Sequence, residues 1–326
     1  MMDRRRFVGV FAGGLAITRS IALAQQATKV YRVGFLLGAS RESVASLFGS
    51  LKEGLRDLGY AEGRNIVFEQ RYAGGKMERL PELAAELVRL KVDAIVTGTN
   101  FHVAAVRKAT ATIPVVMVFA EDPVGSGFVT SLAHPGGNVT GLSAEASSEL
   151  WGKYLALLKE IVPRLSRVGV IGQVASKVGF AELAVAARKL DVTLEVADLL
   201  RPDDLDGAFN TVVGKHVEAV VFVVGPLTYL LMHRIADLTI RYRLPSLTNA
   251  LQYTQAGLLM SYGPNLDDLY RQAAGYVDKI LRGANPADLP VEQPSRYDLT
   301  INLKTAKAIG LAIPQPLLVR ANALIE

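Results

Sequence analysis

The sequence contains no cysteine in its 326 residues, which excludes disulfide bonds, thiolate metal sites, cysteine nucleophiles and a lipid-modified anchor cysteine. Its four histidines lie far apart, without HxxxH or HExxH spacing, so we expect no metal and no cofactor. No apolar run approaches the roughly 18–20 residues that a membrane-spanning helix needs. Aromatic residues make up only 7% of the chain, whereas hydrophobic residues make up 50%. This composition, with β-branched residues in short clusters, is typical of an α/β protein large enough for two packed domains.

The formal net charge of +5 is a weak indication of nucleic-acid binding, because much of it lies at the N-terminus. Residues 1–24 carry four arginines against one aspartate, so the remainder of the chain carries only +2. That value is close to neutral for a chain of this size. We therefore expect no nucleic-acid partner.

The N-terminal segment has the pattern of an export signal. Arg4, Arg5 and Arg6 precede the apolar stretch Phe7–Ile17, and Ala22-Leu23-Ala24 is a small-x-small cleavage site. The alternative interpretation is an amphipathic helix of the mature protein. We predict that residues 1–24 are a signal peptide cleaved after Ala24 and that the mature protein is periplasmic. The arginine pair followed by Phe and an apolar residue resembles a twin-arginine signal, and the general secretory route stays open.

After this segment, strand-like and helix-like stretches alternate. The apolar runs predict four strands, and residues at helical spacing between them predict three helices, in the order βαβαβαβ. That order predicts a parallel sheet with right-handed crossovers. The strands are Tyr31–Leu37, Ile66–Tyr72, Val92–Thr97 and Pro114–Phe119, and the helices are Ser43–Leu58, Leu80–Leu90 and Phe101–Thr110.

The same pattern then occurs a second time. Arg167–Val170 (RVGV) echoes Arg32–Phe35 (RVGF), and His216–Val221 (HVEAVV) echoes Lys91–Val96 (KVDAIV). Such echoes in the same order argue for two similar lobes. We interpret the turn-rich stretch His134–Gly141 (HPGGNVTG) as the seam between them, since it lacks the Lys-Ser/Thr pair of a phosphate loop.

The predicted fold class is therefore α/β, with two doubly wound parallel-sheet, Rossmann-like lobes and a hinge. The N-terminal lobe is predicted to comprise residues 28–141 plus about 264–293, and the C-terminal lobe residues 142–263 plus about 294–326. An exported protein with this layout is typical of two-lobe solute-binding proteins, which close around a ligand by hinge motion. Ligands of open α/β sheets bind outside the carboxyl ends of the strands.

The stretch TGTNFHVA shows what one of these strand ends contains. It places Thr99, Asn100 and Phe101 where the third strand passes into a helix. Thr99 or Asn100 is expected to cap that helix, and the free N–H groups of its first turn favour an anion such as a carboxylate. A plain helix cap without a ligand is the alternative.

The other strand ends supply further candidate ligand-binding residues. In the first lobe, Glu121 and Asp122 end the fourth strand. An acid there could pair with a ligand ammonium, and we predict that Asp122 does so. In the second lobe, Tyr229 occupies an equivalent place but is not selected. The other selected residues are Ser40, Tyr72, Gln173, Pro226, Asn249 and Tyr262.

Enzymatic interpretations find little support in the motifs. No G-x-S-x-G nucleophile elbow occurs, and no G-x-G-x-x-G follows the first strand. A sugar-responsive repressor would need a helix-turn-helix at the N-terminus, where the export signal stands. We therefore expect no catalytic residues.

Long stretches of the chain also resemble a known family. The most specific are residues 54–75, 79–99 and 112–143, together with residues 257–294 and 301–314. They resemble the substrate-binding proteins of ABC transporters in the family named for tryptophan/tyrosine uptake. The resemblance implies a type I periplasmic-binding fold, partner permease and ATPase subunits at the inner membrane, and no catalysis.

The resemblance is weaker at the predicted ligand site. Asn100-Phe101-His102 replaces the family's usual Pro-Ala-Ala, residues 173–176 replace an Asn-Pro-containing loop, and residues 224–227 replace a more acidic turn. The predicted function is to bind a small organic ligand between the lobes, an amino acid or another carboxylate, aromatic ones included, and to deliver it to a permease. A ligand-sensing protein that feeds a signalling receptor is the alternative. The protein is expected to be a monomer.

We predict that export removes residues 1–24. N-terminal sequencing of periplasmic protein should begin at Gln25, and recovery of the full-length chain from the cytoplasm would contradict the prediction. Export that is unaltered after Arg4→Lys with Arg5→Lys would argue against the twin-arginine route.

Overall fold

A computed structural model describes residues 29–144, 148–173 and 177–326. The predicted signal peptide, residues 1–24, lies outside the described residues. None of the helices within the described ranges is both long enough and apolar enough to cross a membrane.

The first sheet has five strands in the order β2-β1-β3-β4-β5, all parallel. Its strands alternate with helices in the predicted βαβαβαβ order, and a fifth strand follows. The elements are β1 (Tyr31–Leu37), α1 (Ala45–Asp57), β2 (Ile66–Tyr72), α2 (Leu80–Arg89), β3 (Ala94–Thr97), α3 (Asn100–Ala109), β4 (Val115–Glu121) and β5 (Val139–Ala144).

The second sheet has seven strands in the order β12-β11-β10-β9-β8-β6-β7, parallel except for the β10–β11 pair. The elements that follow β5 along the chain are α4 (Ser148–Ile161), β6 (Arg167–Gly172), α5 (Lys177–Lys189), β7 (Thr193–Asp198), α6 (Leu205–Gly214), β8 (Ala219–Phe222), α7 (Pro226–Leu230), α8 (Met232–Arg241), β9 (Ser246–Thr248), α9 (Leu251–Gln255), β10 (Met260–Gly263), α10 (Leu266–Leu281), β11 (Asp298–Asn302), α11 (Leu303–Ala308), α12 (Gln315–Arg320) and β12 (Ala323–Ile325).

The burial of the strands explains why they read as continuous apolar runs. Every residue of β3 and of β8 is buried, because helices cover both faces of each sheet. The helices are amphipathic: α1, for example, buries Leu47, Leu51 and Leu55. The prediction of two parallel-sheet α/β lobes is confirmed.

The seam between the lobes lies later than predicted. Val139–Ala144 is a strand that pairs with β4, so the stretch 134–141 is not the hinge and the first sheet extends past residue 141. The apolar residues Val139 and Leu142 of this strand are buried. The glycines near them made the stretch resemble a turn in the sequence.

The chain returns to the first lobe through α10. This helix packs along α1 and against β3, β4 and β5, and its first turn is capped by Asn265, whose side chain accepts from Asp267 N and Asp268 N. The chain then crosses again, and β11 and β12 complete the second sheet.

Two glycines of α1 should respond in opposite ways to alanine. A Cβ on Gly54 would lie 2.7 Å from the Arg271 carbonyl oxygen and 2.8 Å from the Ala274 Cβ of α10, whereas a Cβ on Gly49 meets nothing within 4 Å. We expect Gly54→Ala to destabilise the protein by about 1–3 kcal/mol, because backbone of α10 must shift. Gly49→Ala, the matched control, should stabilise it by about 0.5–1 kcal/mol through helix propensity.

Urea unfolding of both variants measures the two effects. Equal effects of the two substitutions would contradict the close approach of α1 and α10.

Candidate ligand site between the lobes

A cavity lies between the two sheets, at the carboxyl ends of their strands. It has an apolar compartment and an adjoining compartment with a more polar lining, called the polar compartment below; their empty space, open solvent included, is about 430 Å³ and 390 Å³. Both lobes line each compartment, so a molecule bound there would contact both. The apolar compartment is lined by Leu37, Gly38, Ala39, Val44, Leu47, Gly98, Thr99, His102, Val118, Phe119, Val224, Gly225, Pro226, Tyr229, Leu266 and Tyr270. The polar compartment is lined by Thr99, Asn100, Phe101, Phe119, Glu121, Gln173, Val223, Val224 and Gly225.

The turn after β1 brings the lobes into direct contact at one corner of the cavity. A Cβ on Gly38 would lie 2.6 Å from the Pro226 Cβ of α7 and 2.9 Å from His102 Nε2. The Gly38 N–H donates to His102 Nε2 at 2.7 Å, and the Gly38 carbonyl accepts from Gly75 N at 2.7 Å. Because no side chain fits here, the position requires glycine.

The start of α3 differs from the prediction. Thr99 occupies the N-cap position with an extended backbone, but its side chain makes no capping hydrogen bond. Its Oγ1 instead lies 3.1 Å from His102 Nδ1. Thr99 is thus the N-cap residue, as predicted, but its side chain does not cap the helix; Thr99 also lines both compartments.

Asn100 joins α3 to the end of β4. Its Oδ1 accepts from Glu121 N at 2.7 Å, and its Nδ2 donates to the Glu121 carbonyl at 2.8 Å and to Ser126 Oγ at 3.0 Å. The side-chain amide of Asn100 is thus used in hydrogen bonds to residues 121 and 126. These bonds hold the backbone of residue 121 beside the polar compartment.

An irregularity in β4 decides which acid faces the cavity. The register with β5 shifts between Val118 and Ala120, and Phe119 has a φ of 69°. This β-bulge places Phe119 and Glu121 in the cavity wall. Asp122 lies instead in the following turn, where its Oδ1 accepts from Gly125 N at 2.9 Å. The prediction that Asp122 rather than Glu121 faces the ligand is therefore wrong, because the bulge turns Glu121 toward the cavity.

Glu121 is the one acidic side chain among the lining residues of the polar compartment. Burial raises its pKa to about 7, and no nearby cation contributes to the shift. Desolvation disfavours the charged carboxylate, so a cationic group placed beside it would stabilise the charge. The site can therefore accept an ammonium group from a ligand.

His102 is buried in the wall of the apolar compartment, with 3% of its surface exposed. Burial lowers its pKa to about 4, so the imidazole is neutral at physiological pH. Its two ring nitrogens face Gly38 N and Thr99 Oγ1. The ring links the turn after β1 to the start of α3.

The second lobe contributes polar atoms of its own. Gln173 follows β6, and its buried Oε1 has no hydrogen-bond partner among the described residues. The buried hydroxyl of Tyr229, on α7, likewise has none within the described ranges, and burial raises its pKa above the usual range. Unpaired buried polar atoms are costly, which favours a ligand that pairs them.

Five predicted site residues line the cavity and five do not. The residues that line it are Thr99, Asn100, Phe101, Gln173 and Pro226. The residues outside its lining are Ser40, Tyr72, Asp122, Asn249 and Tyr262.

Among the residues outside the lining, Ser40 and Tyr72 have local hydrogen-bond partners, whereas the buried Asn249 Oδ1 has none among the described residues. Ser40 Oγ accepts from Ser43 N in the turn before α1. Tyr72 ends the edge strand β2, and its hydroxyl donates to Gln70 Oε1 at 2.9 Å. A Cβ on Gly263 would lie 1.8 Å from the Asn249 carbonyl oxygen, so Asn249 packs against β10.

Tyr262 lies in an aromatic cluster of the second lobe. Its ring centroid is 6.0 Å from that of Tyr154 and 5.8 Å from that of Tyr297, and Trp151 packs edge-on against Tyr154. The position of Tyr262 at a crossing between lobes suggested a ligand contact, but the ring packs into the lobe instead.

The sequence analysis does not predict several of the lining residues as ligand-binding residues, namely Gly38, His102, Phe119, Glu121, Tyr229 and Tyr270. His102 lies one residue beyond the selected stretch, and its amphipathic position on α3 reads as core. Tyr270 lies on α10, which is not a strand end. The departure from the family pattern at Asn100-Phe101-His102 was the available signal for His102.

Known proteins share both the sequence pattern and the fold. A family model described as "ABC transporter substrate binding protein" matches residues 33–325. A "Tyrosine-binding protein" of Clostridioides difficile (strain R20291) is 27% identical over 260 residues, which cover 79% of this chain and 74% of that protein.

Two solved structures are also similar to this one. An ABC domain from Streptococcus pneumonia in complex with L-Trp has a TM-score of 0.83 at 24% identity, covering 91% of this chain and 100% of that chain. The ligand-free, open structure of a substrate binding protein with adhesive properties from Clostridium difficile has a TM-score of 0.64 at 23% identity, covering 91% and 99%.

The buried imidazole of His102 predicts a pH-dependent stability. Its pKa is about 4 in the folded chain and about 6.5 in an unfolded one. Between these values the unfolded chain binds the proton more tightly, so stability falls as the pH falls from 6.5 to 4. Relative to His102→Gln, which removes this titration, the wild-type protein should lose up to about 3 kcal/mol of unfolding free energy over that range.

Urea unfolding at a series of pH values tests this difference. Glu121 is present in both proteins, so its own titration cancels. The exposed His134 offers a control for removing an imidazole as such, through His134→Gln. Parallel stability curves for the wild type and His102→Gln would contradict the neutral, buried state of His102.

Proposed function

This chain belongs to the ABC transporter substrate binding protein family, and we propose that it binds an amino acid with an apolar side chain in the cavity between its lobes. The family consists of solute-binding proteins, and the chain is not an enzyme. The bound solute is then delivered to a membrane permease.

One observation carries the ligand class: an apolar compartment adjoins a polar compartment in which the half-buried carboxyl of Glu121 is the only charged lining side chain within the described residues. We place the ligand's ammonium group at Glu121, with Gln173 Oε1 as a second acceptor. The side chain would occupy the apolar compartment, against Phe119 and Tyr229.

The ligand's carboxylate is assigned to the start of α3. The first-turn N–H groups of Asn100 and Phe101 lie in the wall of the polar compartment, where the helix macrodipole favours an anion. The tyrosine-binding relative and the L-Trp complex support an aromatic amino acid as the first candidate.

Closure of the lobes is the motion that such binding requires. The lobes touch where Gly38 meets Pro226 and where a Cβ on Gly75 would lie 2.4 Å from Leu230 Cδ2. The structure superposes on the L-Trp complex with a TM-score of 0.83, but on the ligand-free, open structure with only 0.64 at equal coverage of this chain. This difference supports a closed arrangement of the lobes.

Membership of the family supports a proposal for the site of action and the partners. We propose that the mature protein is a periplasmic monomer and that permease and ATPase subunits at the inner membrane receive its ligand. The domain limits that we propose keep residues 264–293 with the first lobe, as the packing of α10 on α1 supports. A signalling receptor in place of a permease is the second candidate, distinguished by whether deletion of the gene abolishes uptake.

Neutralising Glu121 should weaken the binding of amino acids. Glu121→Gln keeps the shape of the side chain and removes its charge, so we expect a loss of roughly ten- to a hundredfold in affinity for L-tryptophan or L-tyrosine. The matched control is Asp122→Asn, one residue along the chain but outside the cavity, which should bind as the wild type does.

The pH dependence of the affinity gives a second test of the ion pair between Glu121 and the ligand ammonium. Because Glu121 has a pKa of about 7, below that pH an ammonium must displace a proton, and affinity should fall about tenfold for each further unit. Calorimetric titration at pH 5, 6, 7 and 8 measures the slope, which Glu121→Gln should abolish. Equal affinity of wild type and Glu121→Gln at every pH would contradict the placement of the ligand ammonium beside Glu121.

A further inference from the structure

The hydrogen bonds of His102 determine which of its nitrogens carries the proton. The ring is 3% exposed, and Gly38 N lies 2.7 Å from its Nε2. A backbone N–H can only donate, so Nε2 must be the acceptor and carry a lone pair. The imidazole proton is therefore on Nδ1.

The protonated Nδ1 then fixes the role of Thr99. Nδ1 lies 3.1 Å from Thr99 Oγ1, and with its proton on that nitrogen it donates to the hydroxyl oxygen. A hydroxyl has one donor hydrogen and two acceptor lone pairs. Since the oxygen accepts from His102, the hydroxyl hydrogen remains available for a separate acceptor.

No protein acceptor takes that hydrogen within the described residues, where the contact with His102 is the one hydrogen bond of the Thr99 hydroxyl. Thr99 is half-buried, and it lines both compartments at their junction. Its donor hydrogen is therefore available to a ligand that spans the two compartments.

We propose that His102 is a positioning residue that fixes the Thr99 hydroxyl as a hydrogen-bond donor, so that the cavity selects ligands presenting a carboxylate or carbonyl oxygen at the junction of its compartments. This inference rests on the proposed function and deepens it. A threonine without this partner could accept as readily as donate, and would tolerate a ligand donor at the same place.

Four variants separate this role from a general structural one. Thr99→Val removes the hydroxyl at nearly constant shape, and Thr99→Ser keeps it. His102→Gln can place its Oε1 near the original Nε2 and accept from Gly38, but leaves Thr99 unpaired. His102→Asn can place its Nδ2 near the original Nδ1 and donate to Thr99, but leaves Gly38 N–H unpaired.

The readout is the ratio of affinities for an amino acid and its decarboxylated amine, L-tryptophan against tryptamine and L-tyrosine against tyramine. We expect Thr99→Val to lower this ratio about tenfold or more, because a hydrogen bond to a charged group is lost. His102→Gln should lower it in the same direction, whereas Thr99→Ser and His102→Asn should retain it. Loss of packing alone would weaken acid and amine together and leave the ratio unchanged.

A measurement on the ligand-free protein tests the tautomer directly. Imidazole ¹⁵N chemical shifts of the full mature chain should show His102 as the Nδ1–H tautomer, and the Nε2–H tautomer would overturn the inference. An affinity ratio that is unchanged in Thr99→Val would also overturn it. If the wild type binds none of the four probes, the proposed amino acid ligand is contradicted instead, and the tautomer measurement still decides the state of His102.

Discussion

The backbone of Gly38 is the constraint on which the cavity depends. Its N–H donates to His102, its carbonyl accepts from Gly75, and its Cα faces Pro226 of the other lobe too closely for any side chain. Through these contacts one residue ties the end of β1 to α3, to the turn after β2 and to α7. Because His102 in turn contacts Thr99, the polar geometry of the site follows from a backbone position that carries no side chain.

The charges and polar atoms that line the cavity favour one class of ligand. The described part of the cavity lining holds one acid, Glu121, whose charge is disfavoured by desolvation, and oxygen atoms of Gln173 and Tyr229 that have no hydrogen-bond partner among the described residues. An ammonium group offsets the desolvation cost of the half-buried carboxylate, and an apolar side chain fills the remaining space without leaving polar groups unpaired.

The fold was predictable because apolar runs and helical spacing report directly on buried strands and amphipathic helices. Positions at strand ends, such as Thr99 and Gln173, followed from the same pattern. The choice between Glu121 and Asp122 did not, because it depends on the bulge at Phe119. That bulge is set by pairing with β5, where a Cβ on Gly141 would lie 2.3 Å from the Met117 carbonyl oxygen. Such a tertiary contact leaves no periodic pattern in the sequence, and Gly136 and Gly137 before β5 together with Gly141 within it made the strand resemble a turn.

The central claim is that the two lobes close around a ligand that is bound and released unchanged. Small-angle scattering of the mature protein, with and without an amino acid that binds, measures this most directly, together with recovery of the ligand afterwards. If the lobes close around the ligand, the complex has a smaller radius of gyration than the free protein and the ligand is recovered intact. An unchanged radius of gyration at saturating ligand would contradict this closure.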